Sequence, residues 1–222
     1  MKYHELVSLL LSQKDPKFAE FSQSLSNSDY ISIGVKNPVL RQIIKDRLKD
    51  EELLLEDFEL GKYLEVDFIY FGLAVSRLKT SKEKLDFLKK KIHLAKSWAI
   101  TDTVATYFKK LSFEDYWDFF IEMYQSKHTY DRRVAYVLGL KLYQDKRILE
   151  VLKHINKNEE YMVMMAEAWL LATIAIKYPD EIYNFLEKVD DLKLKRKTIS
   201  KISDSFRFNE QTKNKFKELR NN

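Results

Sequence analysis

The amino-acid sequence predicts an all-α fold: a curved superhelical array of stacked antiparallel helix pairs, an α-solenoid. Three observations predict it. Glycine and proline number only four and three in 222 residues, whereas sheet-containing folds of this size draw on both at their many turns. Apolar residues recur at helical spacing along nearly the whole chain. The capping residues and prolines between them are evenly spaced, so helix pairs recur about every 30 to 40 residues, the range of helical repeat arrays. An irregular helical bundle is the alternative. A stacked array differs from a bundle because it curves and lines a concave groove with its inner helices.

The elements follow in order. Leu6, Leu9 and Leu10 share one helix face, which ends near Asp15-Pro16. Pro16 takes the first-turn position that proline favours, and Phe18, Phe21 and Leu25 follow at helical spacing. Asn27-Ser28-Asp29 breaks that helix. The run YISIGV, residues 30–35, has the composition of a short strand, but no partner strand is in sight, so it reads as a buried connection. Asn37-Pro38 reads as an N-cap followed by proline at N1, opening a helix that carries Val39, Leu40, Ile43, Ile44 and Leu48. Helices of about 12 to 18 residues then alternate with breaks. The breaks fall at Thr80-Ser81, Ser97, Ser112, Thr129, Asn158 and Tyr178-Pro179-Asp180. Ser112 and Asp115 have the spacing of a capping box. No Gly/Ser-rich or Pro-rich stretch divides the chain, which predicts one domain over residues 1–222.

Composition excludes several function classes. With no cysteine, there is no disulfide framework, thiolate nucleophile or thiolate metal site. The first residues, MKYHELVSLLLSQKD, have an apolar run broken by Glu5 and no small-residue cleavage pattern, so they do not read as a signal peptide. No stretch approaches the roughly 18 apolar residues of a membrane span. A soluble, cytoplasmic protein without a membrane partner is expected. The net charge is +5 and the pI about 9.0. This permits nucleic acid as a partner, while an ordinary lysine-rich surface accounts for it equally well. There is no Gly-rich phosphate loop, HExxH or GxSxG, and His4, His93, His128 and His154 are scattered. Neither metal nor cofactor is expected.

Four segments hold residues that could carry chemistry. In Lys96-Ser97-Trp98-Ala99-Ile100-Thr101-Asp102-Thr103, Ser97 has the position of an N-cap. Trp98 and Asp102 are then one turn apart on one face, an indole for stacking beside a carboxylate for developing positive charge. A core tryptophan with a salt-bridged aspartate is the plainer alternative. In Tyr130-Asp131-Arg132-Arg133-Val134-Ala135, two arginines open an amphipathic helix, where the dipole gives them nothing. At least one should have a carboxylate or phosphate partner, and a structural ion pair to a neighbouring repeat would also satisfy it. The third segment, Met162 to Leu171, is nearly all apolar and holds Glu167 and Trp169 among the small residues Ala166, Ala168 and Ala172. A central helix with Trp169 in the core is the alternative there. Finally, Lys193, Lys195, Arg196, Lys197, Lys201 and Arg207 crowd one late helix, either a solvated face or a strip of phosphate contacts.

Taken in order, these segments resemble the DNA alkylation repair family, the AlkD-like DNA glycosylases built of HEAT-like repeats. The resemblance runs from YISIGVKNPVLRQIIKD through KSWAITDTVA and RRVAYVLGL to AEAWLLATIAIKYP and the late KRKTISKI helix. It implies a monomer whose concave face grips duplex DNA and excises purines made cationic by alkylation at N3 or N7, in base excision repair. Asp102 matches the catalytic carboxylate, which stabilises an oxocarbenium-like sugar. Trp98 and Trp169 match the residues that cradle the nucleotide. Arg133 matches the phosphate-binding arginine better than Arg132 does, since it directly precedes the small apolar pair Val134-Ala135, and Arg132 beside it is expected as a further DNA contact. The basic strip, Arg196 and Lys197 included, would add DNA contacts. Ala99 departs from the acidic residue that catalytic members carry there. A catalytically silent paralogue that binds DNA or protein through the same groove is the second reading, and a HEAT-type protein scaffold the third.

Overall fold

A computed structural model describes residues 1–26, 29–155 and 160–220. The breaks expected at Asn27-Ser28 and Asn158 lie outside the described residues. The fold is all-α. Among the described residues there is no strand, only an isolated parallel bridge between Ile31 and Tyr63. The chain forms two compact units, Met1–Lys110 and Leu111–Asn222. In each, neighbouring helices pack on one central apolar helix.

In the first unit the helices are α1 (Tyr3–Ser12), α2 (Pro16–Ser26), α3 (Asn37–Asp46), α4 (Leu64–Arg77), α5 (Ser81–Lys91) and α6 (Trp98–Val104). Local chemistry sets their ends. The Asp15 carboxylate accepts from the Phe18 N–H at 3.1 Å, capping α2 with Pro16 in its first turn. Thr80 and Glu83 close a reciprocal capping box on α5. The start of α3 corrects the sequence reading by one residue. Lys36 is its N-cap, so Asn37 occupies the first helical position and Pro38 the second. Proline is tolerated there because no intrahelical N–H is lost. Helices are also shorter than expected, 7 to 14 residues, because several end in single 3₁₀ turns.

The central helix α4 is buried from Leu64 to Val75, and α3 and α6 pack on it. Two carboxylates lie in its first turn. Glu65 captures the connection at residues 32–35: Oε1 accepts from Gly34 N–H at 2.8 Å, Val35 N–H at 3.3 Å and Ser32 Oγ at 3.1 Å, and Oε2 accepts from Ile33 N–H at 2.9 Å. The expected buried connection is therefore found, and its backbone donors end on a side chain instead of a sheet. Gly34 has φ +93°, and a Cβ there would stand 2.1 Å from the Asp15 carbonyl, so only glycine fits.

Asp67 is fully buried. It accepts from the Tyr30 hydroxyl and from Gly61 N–H at 3.0 Å. Burial pushes its carboxyl up to about 6, against the downward pull of Tyr30, Gly61 and Lys96. The folded chain thus holds this proton more tightly than the unfolded chain does, so protonation stabilises the fold. Stability should rise as pH falls through about 6 and level off near the ordinary aspartate value of about 4. Asp67→Asn removes this dependence and nothing else that titrates. Thermal melts should show the unmutated protein gaining about 2 kcal/mol relative to Asp67→Asn between about pH 7 and about pH 4. Parallel melting curves would refute the assignment.

The second unit holds α7 (Phe113–Met123), α8 (Thr129–Gly139), α9 (Tyr161–Ile174), α10 (Pro179–Lys188), α11 (Leu192–Asp204) and α12 (Glu210–Glu218). Ser112 accepts from Asp115 N–H at the start of α7, as its spacing predicts, and Pro179 opens α10. The N-cap of α8 is His128, which places Thr129 inside the helix. The central helix is α9, on which α8, α10 and α11 pack. Its small residues Ala166, Ala168 and Ala172 are buried and let those neighbours approach closely.

Candidate functional site

In the first unit, Ser97 caps α6, its hydroxyl accepting from Ala99 N–H. The helix is short, and α4 packs against it. Ile100, Thr101, Thr103 and Val104 face inward, which turns the opposite face outward. Trp98 and Asp102 are both half-buried, so neither belongs to the core. The Trp98 indole N–H donates to the Leu25 carbonyl at 3.1 Å, fixing the ring's orientation. Thr101 Oγ1 donates to Asp102 Oδ1 at 3.2 Å. Beside Trp98 opens a cavity of about 150 Å³ lined mainly by apolar groups, among them Phe18, Phe21, Leu25, Leu40 and Phe68, with the Glu65 carboxylate in its wall. Glu65 thus holds the connection that forms one side of this cavity. The sequence reading did not pick it out, although an acid within an apolar helix was the available signal.

In the second unit the two arginines of α8 separate as their helical positions require. Arg133 is 6% exposed and donates from Nη1 to the Met162 carbonyl at 2.6 Å, so it ties α8 to the start of α9. Arg132 pairs with Glu160, and Thr129 donates to the same carboxylate. Of the two kinds of partner expected for this pair, Arg132 thus has a carboxylate within its own unit.

Trp169 is 39% exposed, which excludes the core alternative for it. It lines a groove of about 360 Å³ together with Thr173, Lys201, Asp204 and Arg207. The late basic residues do not all behave alike. Arg196 and Lys197 are exposed on α11, whereas Lys195 is buried. Arg207 lies beyond the end of α11, and its guanidinium sits 4.9 Å from the centre of the Tyr143 ring. Among the described residues, no group of three His, Cys, Asp or Glu could hold a metal ion, and no helix is long and apolar enough to cross a membrane.

The arrangement offers, in one unit, a fixed indole and carboxylate on an outward helix face, and in the other a half-exposed indole beside cations. A family model described as "DNA alkylation repair enzyme" matches residues 6–204. Among solved structures, one described as a predicted DNA alkylation repair enzyme from Enterococcus faecalis is similar at 18% identity and a TM-score of 0.66, covering 87% of this chain and 98% of that one. At that identity it speaks for the fold alone. Among curated proteins there is no significant match.

Proposed function

Given that the chain belongs to the DNA alkylation repair enzyme family, we propose that it is a DNA glycosylase that removes purines made cationic by N3 or N7 alkylation from duplex DNA. The observation that supports this most directly is the Trp98–Asp102 pair, one turn apart on the capped helix α6 and outside the core.

The chemistry needs little more. A cationic purine is already a good leaving group, so no general acid is required. The bond between sugar C1′ and the purine nitrogen breaks, and its electron pair departs with the base, cancelling the base's charge. Positive charge builds on C1′ and the ring oxygen. The Asp102 carboxylate stabilises that charge and positions the water that adds to C1′, accepting the water's proton and passing it on to solvent. Trp98 packs on the nucleotide with its electron-rich face, which attracts a cation. Its bond to Leu25 keeps the ring from turning away. In the second unit, Trp169 packs against the DNA, and Arg196, Lys197, Lys201 and Arg207 contact phosphates. Arg133, which the resemblance implies as the phosphate-binding arginine, is 6% exposed and bonded to the Met162 carbonyl; burial therefore corrects that expectation, and its role becomes that of orienting the start of α9. No cofactor or metal takes part.

Methylated duplex DNA incubated with saturating protein should release 7-methylguanine at least about 100-fold faster than spontaneous loss. With four phosphate-contacting cations, affinity should fall about 100-fold between about 50 and about 200 mM salt. Steep salt dependence without base release would leave a binding module of the same fold. A salt-insensitive or absent interaction would reject a nucleic-acid role altogether.

A further inference from the structure

Between α11 and α12, residues 205–209 carry a phenylalanine whose exposure is 103%. Phe206 is as open to water as in an extended peptide. The connection that carries it is not slack. Ser205 N–H donates to the Ile202 carbonyl at 3.3 Å, and Arg207 N–H donates to Ser205 Oγ at 3.2 Å. Asn209 caps α12, accepting from Thr212 N–H at 2.8 Å. The ring is therefore presented from a turn pinned at both ends.

Its surroundings narrow what it could meet. Ser205 and Arg207, on either side of it in sequence, line the groove that holds Trp169, Lys201 and Asp204. Two more cations, Arg196 and Lys197, are exposed on α11. Phe206 stands between a serine and an arginine, and the groove they line holds two further rings, Trp169 and Phe208, together with Lys201 and Arg207. Rings interleaved with cations match a nucleic acid, where bases take the rings and the phosphates take the cations.

We infer that Phe206 is a base-stacking residue of the DNA-binding surface. It packs on an unstacked base or wedges into an opened base step, while Arg207 and Lys201 hold the adjoining phosphates. The inference rests on the repair-enzyme reading proposed above. It adds to that reading a contact specific for distorted DNA, carried by an aromatic residue set among the late cations.

The test compares the full-length protein with Phe206→Ala, Phe206→Trp and Arg207→Ala, binding a fully paired duplex and the same duplex with one unpaired base. Because the Phe206 side chain is fully exposed, its variants should fold unchanged. The unmutated protein should prefer the duplex with the unpaired base. Phe206→Ala should weaken that complex about tenfold and abolish the preference, without altering the salt dependence, and Phe206→Trp should restore both. Arg207→Ala should instead lower the slope of log affinity against log salt by about one. If the unmutated protein binds DNA with steep salt dependence and Phe206→Ala retains both affinity and preference, the stacking role is wrong and the repair reading stands. If the unmutated protein binds neither duplex, both fall. If Phe206→Ala instead dissociates a self-associated form in sedimentation, the ring is an oligomer contact and the proposal is overturned.

Discussion

Asp102→Asn should slow release of 7-methylguanine from methylated duplex DNA by at least about 100-fold, the usual loss when a fixed transition-state charge partner is removed. The substitution keeps the size and shape of the side chain and removes its negative charge. DNA affinity should remain close to that of the unmutated protein, because DNA carries negative charge and loses no attractive partner at this position. The fold should also hold. Asp102 lies outside the core, and an asparagine oxygen can still accept from Thr101 Oγ1. The informative comparison is therefore single-turnover release at saturating protein, alongside melting temperature and binding. A variant that binds and melts normally and still releases base at the original rate would show that the carboxylate does not act in the chemistry.

Glu65→Ala should be among the most destabilising single substitutions in the first unit. It strips the acceptor from three backbone N–H groups and the Ser32 hydroxyl, and residues 33–35 are buried. Hydrogen bonds to a charged acceptor contribute about 1.5 to 3 kcal/mol each, and buried donors left unsatisfied cost a similar amount. Allowing for water entering the space, a net loss of about 4 kcal/mol is expected, or a melting point lower by on the order of 10 °C. Glu65→Gln should fall between the two, since its amide oxygen can keep some of the donors while its NH₂ faces others. A shift in Glu65→Ala of less than about 2 °C would mean that the connection at 32–35 is held by its apolar residues instead. Since that connection lines the cavity beside Trp98, Glu65→Ala should also loosen the tryptophan's surroundings, which its fluorescence would report.

Much of the helical frame was legible from local rules. Ser97, Ser112 and the Thr80-Ser81 break mark helix starts because a side-chain oxygen can satisfy an end N–H wherever it stands. Pro16 and Pro179 mark starts because their fixed φ suits a first turn. The register of Trp98 and Asp102 follows from 3.6 residues per turn. Asn37 suits an N-cap by residue type, yet Lys36 holds that position through its backbone alone, so α3 begins one residue earlier than its capping chemistry implies. Arg132, Glu65 and Asp67 were less legible for a different reason. Their partners are Glu160, a backbone about thirty residues earlier, and Tyr30, and no local pattern records such pairings.

The sequence by itself determined that this protein is helical, where most of its helices begin, and which residues share a helix face, since all of these depend on neighbours within about one turn. Only the tertiary structure decided which of those faces are open. Trp98 and Trp169 could each have been core residues, and Phe206 gave no signal at all. Whether a ring is buried depends on what packs across from it, and that neighbour comes from elsewhere in the chain. The stacked helix pairs cover Phe68, Phe71 and Phe120 completely and leave Phe206 wholly in water, although the residue type is the same in each case.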